Sequence, residues 1–394
     1  MSWTNRVFSR EMAHRLCFAL VVAYAVFLAG MFATHDWVVD AQGRPFATDF
    51  IDVWAAGQIA HSHTPQAVYD WHIHRAAELR AIGHEFYGYY GWHYAPPFLF
   101  VAGLLAYLPY AAAFLVFLAV TLGAYALTMI RIVGRREAVL AACAFPAVLL
   151  NASVGQNGCL SAALMGMSLL LMETNPVSSG IFLGLLIYKP QLGILFPLVL
   201  ALDGRWRVIA SASVTAIAMI VASWLAYGAE TWRAFFNSIP VTADAVLAQG
   251  EAGFSKLQSV FGLLRWLGCS LDTASLGQSA VMAVAAAATI WLWRRNVPFA
   301  LKAAALALAS LLATPYLYVY DFPVLALPLA FMARARAFDP LEMAAIAAAG
   351  LGLFIFLWTG LPVGLAAIAI VAGLLARRAK GLPSSQVHVA MQRA

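Results

Sequence analysis

Two carboxylates three residues apart, Asp49 and Asp52, stand in the stretch Thr48-Asp49-Phe50-Ile51-Asp52-Val53-Trp54-Ala55-Ala56-Gly57, beside aromatic side chains and between long apolar segments. If the stretch is helical, a spacing of three puts both acids on one face. A carboxylate held at a membrane surface and shielded by aromatics can act as a general base towards a hydroxyl. The same acids could instead cap a surface helix or stand solvated, and spacing alone does not separate these readings.

Lys189 brings the complementary charge, within Ile181-Phe182-Leu183-Gly184-Leu185-Leu186-Ile187-Tyr188-Lys189-Pro190-Gln191-Leu192. The run reads as the middle of a membrane helix, where a lysine costs on the order of 2.5–3.5 kcal/mol. Pro190 also breaks the hydrogen-bond ladder there, and both defects suit a polar cavity rather than lipid. An ammonium at that depth fits a lipid phosphate. The alternative is snorkelling, disfavoured by the distance to either helix end.

Two polar stretches join it. Asn151-Ala152-Ser153-Val154-Gly155-Gln156-Asn157-Gly158 separates apolar segments short for full spans, so it either lines a cavity or forms an exposed hairpin. Thr314-Pro315-Tyr316-Leu317-Tyr318-Val319-Tyr320-Asp321-Phe322-Pro323 bends at a membrane face. Its tyrosines and acid can hold sugar hydroxyls or form an interfacial aromatic belt. Walker A, GxGxxG, HExxH and GxSxG patterns are absent, so nothing points to a nucleotide-driven enzyme or a metalloprotease. Cys17, Cys143, Cys159 and Cys269 are dispersed and suggest neither a disulfide framework nor a zinc site.

These residues need a membrane scaffold to position them. The chain is 63% hydrophobic and 11% charged, with a mean hydropathy of +0.80, whereas soluble domains are about 25% charged. The net charge of +6 gathers at helix ends, which argues for topology rather than nucleic acid. Arg6, Arg10 and Arg15 hold the start of a first span from Ala13 to Ala33 in the cytoplasm, an uncleaved signal anchor. The loop 34–93 is then external, its Asp and Glu residues outnumbering Arg44, Arg75 and Arg80. Periodicity predicts two short helices on the membrane surface, Phe50 to Ala60 and Tyr69 to Ile82, separated by Pro65. Phe86, Tyr87, Tyr89, Tyr90, Trp92 and Tyr94 mark re-entry into the bilayer.

Leu108-Pro109 divides the apolar stretch from Pro96 to Ile130 into two spans. Segments 138–150, 160–172 and 179–200 follow, closed by the inner anchor Asp203-Gly204-Arg205-Trp206-Arg207. With every segment a span, Arg131, Arg135 and Arg136 fall outside, against the positive-inside rule; one re-entrant segment would resolve this. Val208 to Tyr227 leads to a second external loop, 229–276, whose stretch from Leu257 to Leu267 is amphipathic. Spans at 277–293, 300–314, 319–332, 343–358 and 362–376 then alternate with basic inner turns. The expectation is an all-α polytopic membrane protein, one domain over 1–380 with about 12 transmembrane helices and a large external first loop carrying short interfacial helices. Both ends lie inside, and the tail 381–394 is polar and disordered.

In this order of motifs the chain resembles glycosyltransferase family 87, polyprenyl-phosphate-sugar-dependent, mannosyltransferase-like membrane enzymes of the GT-C fold. Asp49-Phe50 with Trp54-Ala55-Ala56-Gly57, Tyr69-Asp70, Tyr94-Ala95-Pro96-Pro97-Phe98, Gly155-Gln156-Asn157, Lys189-Pro190, Arg205-Trp206-Arg207 and Pro315 to Asp321 carry the likeness. The resemblance implies an inverting transfer of a mannose-like sugar from a polyprenyl-phosphate donor to a lipid or glycan acceptor. The reaction would take place at the outer face of a bacterial inner (plasma) membrane. Asp49 inherits the base by position; Asp52, where the family more often has an apolar residue, is a second candidate. Lys189, Gln156 and Asn157 would face the donor phosphate, and Trp54, His93, Tyr94, Tyr318, Tyr320 and Asp321 the substrates. A histidine often found near the late motif in relatives is missing. No cofactor or nucleic-acid partner is implied, and the metal requirement stays open. The alternative is a lipid-linked sugar transporter or flippase with Lys189 in a midplane site, against which the long external loop speaks.

Overall fold

The computed structural model describes residues 10–62, 64–86, 90–251 and 253–380, which form helices and turns with no β-strand beyond isolated bridges. Arg6, Tyr87, Tyr89 and the tail 381–394 lie outside the described residues. The first helix, α1 (Arg10–Ala33), is one of four among the described residues that are long and apolar enough to cross a bilayer. Its Phe18, Val26 and Phe27 are exposed, as lipid-facing side chains are.

The helices read in the first loop are present as α2 (Phe50–Ala60) and α3 (Trp71–Ile82), with a 3-10 turn at Pro65–Tyr69 between them. Their expected place on the membrane surface is not what is found for α2. Phe50, Ile51, Val53, Ala55, Ala56, Gly57 and Ile59 are all buried. A helix this poor in polar residues has no face to give to water. Gly57 lets a second backbone come close, since a Cβ there would lie 2.1 Å from the carbonyl oxygen of Ala102. That backbone belongs to α4 (Leu99–Ala106).

Leu108-Pro109 does separate two helices, α4 and α5 (Tyr110–Val133), but only α5 is long enough to cross. The apolar piece Pro96–Ala106 rises about 16 Å, half of a hydrocarbon core of roughly 30 Å. Its far end stays beside the first loop, where Trp54 Nε1 donates to the Leu108 carbonyl at 3.1 Å and Gln58 Nε2 to that of Ala106 at 2.8 Å. Helix α5 therefore starts at the loop pole, with the Tyr110 hydroxyl on the Phe46 carbonyl at 3.4 Å. It ends at the opposite pole, where Arg334 Nη1 donates to the Ile132 carbonyl at 2.8 Å.

Helices α6 (Ala138–Ala144) and α7 (Pro146–Val154) return to the loop pole as one path bent at Phe145-Pro146, and Trp37 Nε1 reaches the Ser153 carbonyl at 2.7 Å. Helix α8 (Gly158–Leu171) descends to Met172, whose carbonyl accepts from Arg205 at 3.4 Å. The next segment corrects the sequence reading. Helix α9 (Pro176–Gly184), 3-10 turns at Leu185–Tyr188 and Pro190–Gly193, and α10 (Phe196–Leu202) make a hairpin that enters and leaves at the same pole. Gly180 packs on Val208 and Ser211, and Gly184 on Ala212 and Thr215, so α9 runs parallel to α11 (Trp206–Ala243). Lys189 is thus not midway along a spanning helix but at a hairpin tip, with φ −129° and ψ 65° ahead of Pro190. The proline removes a donor and excludes the helical conformation from the residue before it.

Helix α11 bends at Gly228 (φ 82°, ψ 165°), and its second part packs on the first loop, with the Tyr69 and Phe235 rings 5.7 Å apart. After α12 (Val260–Trp266) come α13 (Leu271–Trp293), α14 (Phe299–Leu312), a 3-10 stretch Val319–Leu325 leading into α15 (Ala326–Ala335), α16 (Pro340–Thr359) and α17 (Gly364–Lys380). At the second pole Arg378 donates to Glu342 at 2.9 Å and to the Arg336 carbonyl at 2.9 Å.

Two segments counted towards about twelve spans, 96–107 and 179–200, therefore turn back instead of crossing. With both re-entrant, the turn carrying Arg131, Arg135 and Arg136 shares a pole with Arg205, Arg334 and Arg378, and the offence against the positive-inside rule disappears. In a background lacking the native cysteines, Arg136→Cys and Gly204→Cys should react with an impermeant maleimide from one side, and Gln42→Cys and Ser270→Cys from the other. Labelling of position 136 together with position 42 would restore a crossing at 96–107.

Candidate functional site

Asp49 occupies the N-cap position of α2 without capping it: its side chain makes no hydrogen bond to the helix backbone. It accepts instead from Gln156 Nε2 at 3.2 Å. Gly155 makes that contact possible. It ends α7 in the left-handed region (φ 70°, ψ 34°), and a Cβ there would lie 2.6 Å from Phe50 Cβ and 2.7 Å from the Phe114 ring. Only glycine lets the turn slide beneath the first residue of α2. Gln156 Oε1 accepts from the Tyr94 hydroxyl at 3.0 Å and from the Asn157 backbone at 3.2 Å, which orients the amide with its NH2 towards Asp49. Asp49 is half-buried, enclosed by protein and still within reach of solvent. Burial pushes its carboxyl above the usual carboxylate range, opposed by the Gln156 hydrogen bond and the charges of Lys256 and Lys189.

Lys189 is not unpaired. Its Nζ lies 2.6 Å from Asp321 Oδ1, with the lysine 5% and the aspartate 3% exposed. Asp321 Oδ2 accepts from the Tyr318 backbone at 3.3 Å. The Tyr320 and Tyr94 rings stand 5.4 and 6.0 Å from the ammonium, and Tyr318 stacks on Tyr320 at 5.1 Å. Gly158 brings the late motif in, since a Cβ there would lie 2.0 Å from the Tyr320 carbonyl oxygen, which also accepts from Asn151 Nδ2 at 3.2 Å. Asn157 is 0% exposed, and neither its amide nitrogen nor its amide oxygen has a hydrogen-bond partner. It sits beside the Tyr94 hydroxyl out of hydrogen-bond alignment. An unpaired buried amide is costly unless something else comes to meet it.

The structure thus brings together Asp49, Tyr94, Gln156, Asn157, Lys189, Tyr318, Tyr320 and Asp321. Asp52, Trp54 and His93 take other partners. Asp52 is buried and turns to His74 Nε2 at 3.1 Å, with Glu78 Oε1 3.7 Å from the same nitrogen. None of these atoms is aligned for a hydrogen bond. Burial pushes Asp52 well up, Glu78 up to about 9 and His74 down to about 3. Trp54 serves the α2–α4 contact, and exposed His93 meets Thr242 Oγ1 at 3.1 Å. A groove of about 520 Å³ is lined by Tyr69, Asp70, Trp71, Asn237, Ser238 and Val241 among others, and does not include Asp49, Lys189 or Asp321. The sequence does not single out Asn151 and Lys256 as site residues. Asn151 lies in the polar turn already noted, whereas no motif marks Lys256.

The family model described as glycosyltransferase family 87 matches residues 92–315, more than half of the 394 residues. The match holds Tyr94, Gln156, Asn157 and Lys189; Asp49 and Asp321 lie beyond its two ends. No curated protein and no solved structure matches the chain.

Removing one member of a buried ion pair leaves the other uncompensated and costs about 3–5 kcal/mol, whereas replacing both is far milder. Lys189→Met and Asp321→Leu should each lower the thermal midpoint markedly in detergent, and the double variant should recover most of the loss. Additive losses would mean the two charges are independent. A second outcome concerns pH. The folded state holds the Glu78 proton up to about 9 while the unfolded chain releases it near its ordinary value, so stability falls as pH rises through that window. His74 contributes with the opposite sign, only between its lowered and ordinary values. From pH 7 to 9 the thermal midpoint should therefore decline, and Glu78→Gln should make the decline shallower; an unchanged slope would assign it elsewhere.

Proposed function

The chain belongs to glycosyltransferase family 87 and is a membrane glycosyltransferase, and from that premise we propose that it moves a mannose-like hexose from a polyprenyl-phosphate donor to a lipid or glycan acceptor. The transfer inverts the anomeric centre. The acceptor oxygen attacks the anomeric carbon, polyprenyl phosphate leaves with the bond's electrons, and Asp49 takes the hydroxyl proton.

The observation that carries this reading is the state of Asp49. Among the described residues it accepts a single hydrogen bond, from Gln156, so a carboxylate oxygen stays open to a hydroxyl. Burial raises its pKa, which strengthens it as a base near neutral pH. Lys189 is satisfied by Asp321 rather than by Asp49, so the base is not tied up in an ion pair. Asn157 offers both amide atoms from a buried position, and stacked Tyr318 and Tyr320 offer an aromatic wall for a pyranose. The donor carries its own activation in the phosphate bond, so the reaction draws on no nucleotide.

By the positive-inside rule the pole with Arg131, Arg205, Arg334 and Arg378 is cytoplasmic. The site, at the loop pole, then opens to the outer face of the inner membrane. Lys189 at the tip of a broken hairpin also suits the transporter alternative, but family membership favours transfer.

Asp49→Asn keeps the shape and cannot take the proton. General-base catalysis contributes about 10²–10⁴-fold, so turnover of a radiolabelled polyprenyl-phosphate mannose should fall by that much while donor binding persists. Asp52→Asn, buried and turned to His74 and Glu78, should lose far less. Near-normal turnover of Asp49→Asn would remove the first loop from the chemistry.

A further inference from the structure

Resting on the lipid-phosphate reaction above, we propose that Lys256 is the cation that meets the donor's phosphate, while Lys189 is held back by Asp321.

A lysine–aspartate pair is net neutral, so a phosphate approaching Lys189 and Asp321 meets no net positive charge. Among the described residues Lys256 is exposed and enters no ion pair or hydrogen bond through its ammonium. Its charge nevertheless acts on Asp49, ahead of that of Lys189.

The backbone carrying it is fixed on both sides. Lys256 closes a 3-10 turn, Phe254–Lys256, that follows Gly250 (φ 69°) and Gly253 (φ 84°). Arg265 secures this stretch, donating to the Ala248 carbonyl at 2.8 Å and to the Cys269 carbonyl at 2.8 Å, with its guanidinium 4.7 Å from the Phe254 ring centre. Downstream, Leu257 pairs with Tyr318 in a β-bridge, and the Gln258 backbone donates to the Leu317 carbonyl at 2.7 Å, while Ser259 Oγ donates to the Pro315 carbonyl at 2.8 Å. The lysine is thereby set one residue from the strand-like pairing that presents Tyr318, Tyr320 and Asp321. An unpaired ammonium on a firmly held turn at the rim of an acid-bearing cleft is preorganised for an anion.

The test uses the full chain in phosphatidylcholine nanodiscs with farnesyl phosphate as probe and farnesol as control. The wild type should bind farnesyl phosphate more tightly than farnesol. Lys256→Gln should lose about tenfold to a hundredfold for farnesyl phosphate, the range of a charge-assisted hydrogen bond, with farnesol binding unchanged; Lys256→Arg should retain most of the affinity. Equal affinity of Lys256→Gln and wild type for farnesyl phosphate overturns the proposal. Competition by inorganic phosphate as effective as that by farnesyl phosphate would overturn the lipid-linked source. If phosphatidylglycerol nanodiscs erase the difference between variant and wild type, Lys256 reads bilayer headgroups and the proposal falls. A wild type that does not distinguish farnesyl phosphate from farnesol would instead sink the lipid-phosphate reaction itself.

Discussion

The Lys189–Asp321 ion pair, 2.6 Å long and almost wholly buried, is the constraint on which the site depends. A single charge inside a helical bundle would favour its own neutralisation or exposure over this fold. Paired, it ties the tip of a re-entrant hairpin to a 3-10 stretch far along the chain, and Tyr94 and Tyr320 close over the ammonium. The break at Pro190 matters because it turns the chain back directly after Lys189, leaving the lysine at the hairpin tip beside Asp321.

Close backbone approach does the rest of the positioning. Gly155 and Gly158 leave no room for a Cβ against Phe50, Phe114 and the Tyr320 carbonyl. The turn between them therefore lies against both the first loop and the late motif. Gln156 then serves as a spacer whose two ends are read by different partners, Tyr94 on one side and Asp49 on the other. The cleft keeps one acid in reserve and the other committed: Asp49 stays open, while Asp321 is occupied.

The two neighbouring acids of the first loop illustrate how position along a helix decides chemistry. Asp49 stands before the first turn of α2 and leans over the cleft, whereas Asp52 is inside the helix and packs against His74 and Glu78 on α3. Burial raises both carboxyls, but only Asp49 keeps access. The cluster around Asp52 holds α2 to α3 and so steadies the loop that carries Asp49.

Much was legible in the sequence. Composition determined a membrane chain of helices, Leu108-Pro109 marked a helix boundary, and the periodicity of Phe50 to Ala60 marked α2. The unusual residues for a membrane, Asp49, Gln156, Lys189 and Asp321, could be named because polar groups in apolar surroundings are rare enough to stand out. Only the tertiary structure decided how they are paired. Hydropathy measures the affinity of a segment for lipid but not whether it crosses, so 96–107 and 179–200 read as spans until their ends were seen at one pole. A spacing of three could not tell which acid faces the cleft. The partner of Lys189 lies 132 residues away, and no local pattern carries information over that separation. Lys256 is set beside the late motif by the pairing of its neighbour Leu257 with Tyr318, a contact between distant loops made by packing alone.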